Sequence, residues 1–165
     1  TLDQILLVTS IIRNIAPDDE YRPFLERALA ESEGAQEEAA QAARRELLVD
    51  AALLIDRDVE KALRLRREAM PTGWRDDPPL LNDFAWWCFE NDINLDEAYQ
   101  LALRGAELAS DDGVRANILD TAAQLAFKRG EVDTALAHQR EAVKLAPDRR
   151  SFRETLERFE AASGG

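Results

Sequence analysis

An all-helical protein built from repeated helical hairpins is the fold class this sequence predicts, and three observations carry the prediction. Apolar residues recur three and four positions apart almost throughout, the spacing that keeps one face of a helix apolar. No alternating run of Val, Ile or Thr bounded by turn residues marks a strand. The segment "ANILDTAAQLAFKRGEVDTALAHQREAVKLAPD", residues 116–148, reads as two helices and a turn, and its pattern returns one unit upstream.

Leu2, Ile5, Leu6 and Ile12 form one stripe on a first helix that Pro17 ends. Leu7, Val8 and Ile11 add a second apolar face to it. Either the second and third helices cover both faces, or this helix has a partner outside the monomer, such as a second copy or an attached upstream domain. Asp18, Asp19 and Glu20 suit the positive end of a second helix through "YRPFLERALAES" to the break at Gly34. A third helix covers "EEAAQAARRELLVDAALLI". A short acidic turn follows at Asp56 to Asp58, then "VEKALRLRREAM" to Pro71 and Gly73. In the irregular stretch "TGWRDDPP", Trp74 is expected to pin the loop and the prolines to open the next helix.

In residues 116–148, Leu119, Ala122, Ala123 and Ala126 line one helix and Gly130 makes the turn. Ala135 and Ala142 mark the second helix, and Pro147 its exit. Small residues let the helices cross closely, and glycine permits a left-handed turn. In "LNDFAWWCFENDINLDEAYQLALRGAELASDD", Leu81, Phe84, Ala85 and Cys88 repeat the first set, and Ala98, Ala102 and Gly105 the second. The match requires about one extra residue in "NDIN" and about three around Gly113, both between helices, where insertion is cheap. A weaker copy comprises Leu47, Ala51 and Leu54 with Ala62 and Ala69. After Pro147, Phe152, Leu156 and Phe159 share one side of a last helix, which a stack needs to cover its terminal apolar face.

This spacing resembles the tetratricopeptide repeat over at least residues 78–148. Leu119 stands where the motif has Trp, Ala122 where it has Leu, Ala123 where it has Gly, Ala126 where it has Tyr and Gln139 where it has Phe. The strings "PTGW", "LNDFAWWCFEN", "INLDEA" and "ILDTAA" together resemble the C-terminal helical region of bacterial thioredoxin-fold proteins, over residues 60–148. The redox domain with its Cys-x-x-Cys would then lie outside these residues. The expected architecture is a right-handed solenoid of about four antiparallel pairs plus a capping helix. Residues 1–76 are divergent hairpins of the same stack, and residues 77–165 hold two repeats and the cap in one continuous domain.

With 165 residues the chain can bury roughly two thirds of its unfolded surface. Its 33 acidic against 21 basic residues give a net charge of -12, which argues against a phosphate backbone as ligand and favours basic or apolar partners. No apolar run reaches the ~20 residues a membrane span needs, and the first residues do not read as a signal peptide. The chain starts at Thr1 rather than Met, as expected of a fragment or a processed product, and cytoplasm and periplasm both stay open. Cys88 is the single cysteine, so no intrachain disulfide forms. It falls at an apolar helix position and is expected to act as a small hydrophobe rather than a reactive thiol. His138, the one histidine, has no evident partner and is expected to be solvated. "ESEGAQEE" and "DRDVE" lack the oxygen-ligand spacing of a Ca²⁺ loop and suit turns and helix starts. No phosphate-binding glycine loop, nucleophile set or metal-spaced cluster is visible, so neither catalysis nor a cofactor or metal is expected.

The resemblance implies a protein-binding groove lined by the second, fifth, ninth and twelfth positions of each repeat. These are Asn117, Asp120, Gln124 and Phe127 in one repeat, with Asn82, Trp86 and Phe89 in the preceding one. The basic and asparagine positions that clamp a C-terminal carboxylate in chaperone-binding members are not matched. An amide, acid and aromatic floor remains, suited to an extended segment with apolar or basic side chains. The alternative is a structural or dimerising arm with no peptide ligand. Within the groove reading, Trp86 belongs to the groove and Trp87 to the core, since adjacent helical residues point about 100° apart. The competing reading packs both tryptophans in the solenoid.

Overall fold

A computed structural model describes residues 1–163. The described residues hold nine α-helices and one short 3₁₀ turn, with no strand among them. They are α1 (Leu2–Ile15), α2 (Asp18–Glu31), α3 (Glu38–Leu54), α4 (Val59–Ala69), α5 (Pro78–Asn91), α6 (Leu95–Leu108), α7 (Asp112–Lys128), α8 (Val132–Leu145) and α9 (Arg150–Ser163). The chain divides into two compact units, Thr1–Met70 and Pro71–Gly165.

Acidic residues start the helices for a local reason. The carboxylates of Asp58, Asp77 and Asp111 accept hydrogen bonds from the Lys61, Leu80 and Val114 amides at 2.9, 3.1 and 2.9 Å, which satisfies donors that have no partner within the helix. "DRDVE" is therefore a turn and a helix cap. Pro78 opens α5 at a position whose amide would have no helical partner.

In the first unit, Ile5, Leu6 and Ile12 of α1 pack on a core of Tyr21, Leu25, Ala28, Leu47 and Ala51. One polar group is built into it. Asp50 is buried and accepts from Tyr21 Oη at 2.7 Å and from Arg13 Nη2 at 2.8 Å, tying α1 and α2 to α3. Burial pushes the Asp50 carboxyl above its ordinary value, although Arg13 and Tyr21 both pull it down. The second face of α1 stays outside: Leu7, Val8, Ile11 and Ile15 are exposed.

In the second unit, α5 packs on α6 and α7 on α8, while α7 also meets α5 and α6. Gly105 lets α6 approach closely, since a Cβ there would meet Leu81 Cβ and the Pro78 carbonyl, both at 3.4 Å. The two interhelical turns share one bond. Ile93 N donates to Cys88 O at 3.1 Å and Glu131 N to Ala126 O at 2.9 Å, so Cys88 and Ala126 occupy equivalent places in their turns. Gly130 supplies the left-handed residue in one turn, Asp92 and Asn94 in the other. Trp74, in the 3₁₀ turn Trp74–Asp76, is buried and stacks on Phe84 at 5.1 Å. Cys88 is fully buried.

Candidate protein-interaction site

Asn82, Trp86 and Phe89 follow one another at spacings of four and three along α5, and Asn117, Asp120, Gln124 and Phe127 do the same on α7. Those spacings place each row on one helix face. All seven are half-buried, whereas Leu81, Phe84, Ala85 and Cys88, and on α7 Leu119, Ala122, Ala123 and Ala126, are buried beneath them. The tryptophans divide accordingly. Trp87 is 6% exposed and lies 5.9 Å from the Phe84 ring, while Trp86 is half-buried and 4.9 Å from Phe89.

The two rows differ in what meets them. On α5, the amine of Lys128 lies 4.8 Å over the Phe89 ring, donates to the Phe89 carbonyl at 2.8 Å and pairs with Asp92 at 3.1 Å. A cation thus sits at the negative end of α5. Asn82 Oδ1 is buried and accepts no hydrogen bond from the described residues, a cost that a donor would relieve.

The α7 row is met by the chain itself. Arg158 of α9 donates to Gln124 Oε1 at 3.1 Å, and Phe159 stacks on Phe127 with centroids 4.3 Å apart and planes at 10°. Gln124 Nε2 reaches Asp120 at 3.3 Å. From α8, Gln139 Nε2 donates to Asp120 Oδ1 at 2.7 Å and to the Phe152 carbonyl of α9 at 3.0 Å. Burial raises the Asp120 carboxyl above its ordinary value, against the pull of Gln139, Gln124, Arg158 and Arg149. Asn117 stays at the edge, its carbonyl accepting from Thr121 at 3.3 Å.

Sequence reasoning missed Gln139, Arg158 and Lys128. A signal existed for Gln139, a polar residue where the repeat has an aromatic one. For the two cations there was none, because their contacts join elements 34 and 39 residues apart.

His138 corrects an expectation. It is half-buried rather than solvated, and its Nε2 hydrogen-bonds Tyr99 Oη at 2.8 Å. Burial lowers the imidazole pKa and raises that of the phenol, so both are neutral near pH ~7. Arg129 covers the Tyr99 ring at 4.7 Å and pairs with Asp96 and Glu131 at 3.0 and 2.9 Å. Among the described residues no cluster of three or more His, Cys, Asp or Glu could hold a metal ion, and no helix is long and apolar enough to cross a membrane. No family model, curated protein or solved structure matches the chain.

Proposed function

We propose that this chain is a non-catalytic protein-interaction module, a right-handed stack of tetratricopeptide-like hairpins capped by α9. In this reading Asn82, Trp86 and Phe89 receive an extended partner segment; of the α7 row Asn117 and Asp120 border it, while Gln124 and Phe127 are covered by Arg158 and Phe159 of α9. The module is appended to a thioredoxin-like redox domain outside these residues. One observation carries the reading. Arg158 and Phe159 of α9 lie on Gln124 and Phe127 as an adjacent cation and aromatic ring, and so exemplify the side-chain pair such a floor accepts. The α5 row offers a similar combination without α9: the half-buried ring pair of Trp86 and Phe89, and the unsatisfied Asn82 oxygen. A segment bearing Arg or Lys next to an aromatic residue would supply a donor and a stacking face.

A displayed random-peptide library panned on the chain should enrich basic-aromatic segments, and their binding should quench tryptophan fluorescence. Trp86→Ala should weaken binding about tenfold or more, as for a central aromatic anchor. The second reading, a structural arm, is favoured by the engagement of the α7 row by α9. A library that yields no segment sensitive to Trp86→Ala would leave that reading standing.

A further inference from the structure

We infer that the outer face of the α1–α2 hairpin is a two-fold interface between copies of this chain. Leu7 is 61% exposed, Ile11 50%, Ile15 74% and Val8 43%, and Phe24 of α2 continues the patch at 38%. Val8 and Phe24 line one cleft with Gln4, Ile5 and Arg27. Between Asp3 and Arg13, α1 carries no ionisable side chain, and Arg13 is committed to Asp50 at 2.8 Å. Ser10 and Asn14, which border the stripe, spend their side-chain donors on α1's own carbonyls at 2.8 and 2.7 Å. A monomer gains nothing from so dry a face on an outer helix.

The charges identify the occupant. Glu20, Phe24 and Arg27 lie on one stripe of α2, Glu20 four residues before the ring and Arg27 three after it. Both ionic side chains are exposed, and neither pairs with another described residue. Glu31, four residues after Arg27, is exposed at the end of the same stripe, outside the Glu20 to Arg27 stretch. An isologous contact requires that whatever residue i meets, the partner's residue i also meets. A two-fold axis near Phe24 turns α2 antiparallel to its copy and sets Glu20 against Arg27 twice, across a separation of about 10 Å along each helix. The same rotation lays the uncharged stretch of α1 against itself. On a molecule of net charge -12, the Glu20 and Arg27 pair lets a second copy approach with two opposite-charge contacts at the centre of the face, while Asp3 and Glu31 stay at its ends. A partner of either single sign would leave one of the two unpaired. This surface is distinct from the groove, and its test leaves that reading untouched.

Sedimentation equilibrium of the whole chain should give a concentration-dependent dimer. Ile11→Glu, on an exposed position, should yield monomer with unchanged helical circular dichroism and a melting temperature that no longer depends on protein concentration. Glu20→Arg alone and Arg27→Glu alone should each raise the dimer Kd about tenfold or more by setting like charges together in both contacts. An equimolar mixture of these two single variants should form a mixed dimer, because every contact is then between opposite charges, and the double variant E20R/R27E should regain the wild-type Kd. A monomeric wild-type chain, which would leave the face to another protein, overturns the inference. So does an Ile11→Glu variant that stays dimeric, or a mixture no tighter than its components.

Discussion

Trp86 and Trp87 are neighbours in sequence with different surroundings, and substitution should separate them. Trp87→Ala removes a buried ring against Phe84 and should cost about 3–5 kcal/mol in denaturant melts. Trp86→Ala should cost about 1 kcal/mol or less, since its ring, beside Phe89, is only half-buried. Equal losses would place both in the core. Asp120 makes a second test, in pH. Its folded-state pKa is raised, by burial first, so the folded chain holds this proton more tightly than the unfolded one. Its contribution therefore favours folding below the ordinary carboxylate value and is lost as pH rises through the raised value. Asp120→Asn keeps an acceptor for Gln139 and removes the titration. Relative to this variant, the wild type should gain stability on acidification from about pH 7 to about pH 4; a constant difference would refute the assignment. The difference in burial between the tryptophans was legible from two facts together: adjacent helical residues point about 100° apart, and the repeat register sets Trp87 beside Phe84. The pairing of His138 with Tyr99 was not, since 39 residues separate them and no local rule brings α6 and α8 side chains together.

At the scale of elements, some boundaries were legible from local chemistry. Proline opens α5, and the acidic turn ends in Asp58, the cap of α4; the caps Asp77 and Asp111 were not read from the sequence. The extra residue expected in "NDIN" is present because a second left-handed residue, Asn94, follows the shared turn bond. A final helix was also legible, from Phe152 and Phe159, both now buried. What α9 touches was not. Arg158 is an exposed residue in an amphipathic pattern, and only the packed chain delivers it to Gln124. Gln139 bridges α7, α8 and α9, fully buried with its Nε2 donating to both Asp120 and the Phe152 carbonyl. Gln139→Leu keeps the volume and strips Asp120 and the Phe152 carbonyl of a donor. It should destabilise the chain by about 1–3 kcal/mol and release Arg158, read as faster exchange of α9 amides. An unchanged melting temperature would show that this join needs no hydrogen bond.

At the scale of the whole molecule, the repeat in residues 81–148 made the helical architecture legible, since alanines at crossing points recur with the turns between them. The weaker copy in residues 47–69 left the first unit less defined, and its buried Asp50 with Arg13 and Tyr21 has no counterpart in a repeat pattern. In the second unit Leu81, Phe84, Trp87, Ile118, Leu125 and Phe159 are buried, and the unit is compact. Residues 71–163 expressed alone should therefore give a helical spectrum and a cooperative melt; a broad, non-cooperative trace would mean the unit depends on the rest of the chain.

The helix contacts within each unit have a kinetic consequence. Each helix of the second unit packs mainly on its neighbour in sequence, or on the next but one, so no distant ends must find each other before burial begins. Loop-closure entropy is then small at every step, and refolding belongs in the microsecond to millisecond range of helical chains with local contacts, not the slower range of sheet proteins. A hairpin such as α7–α8 can form as soon as its two helices leave the ribosome, ahead of the residues that follow.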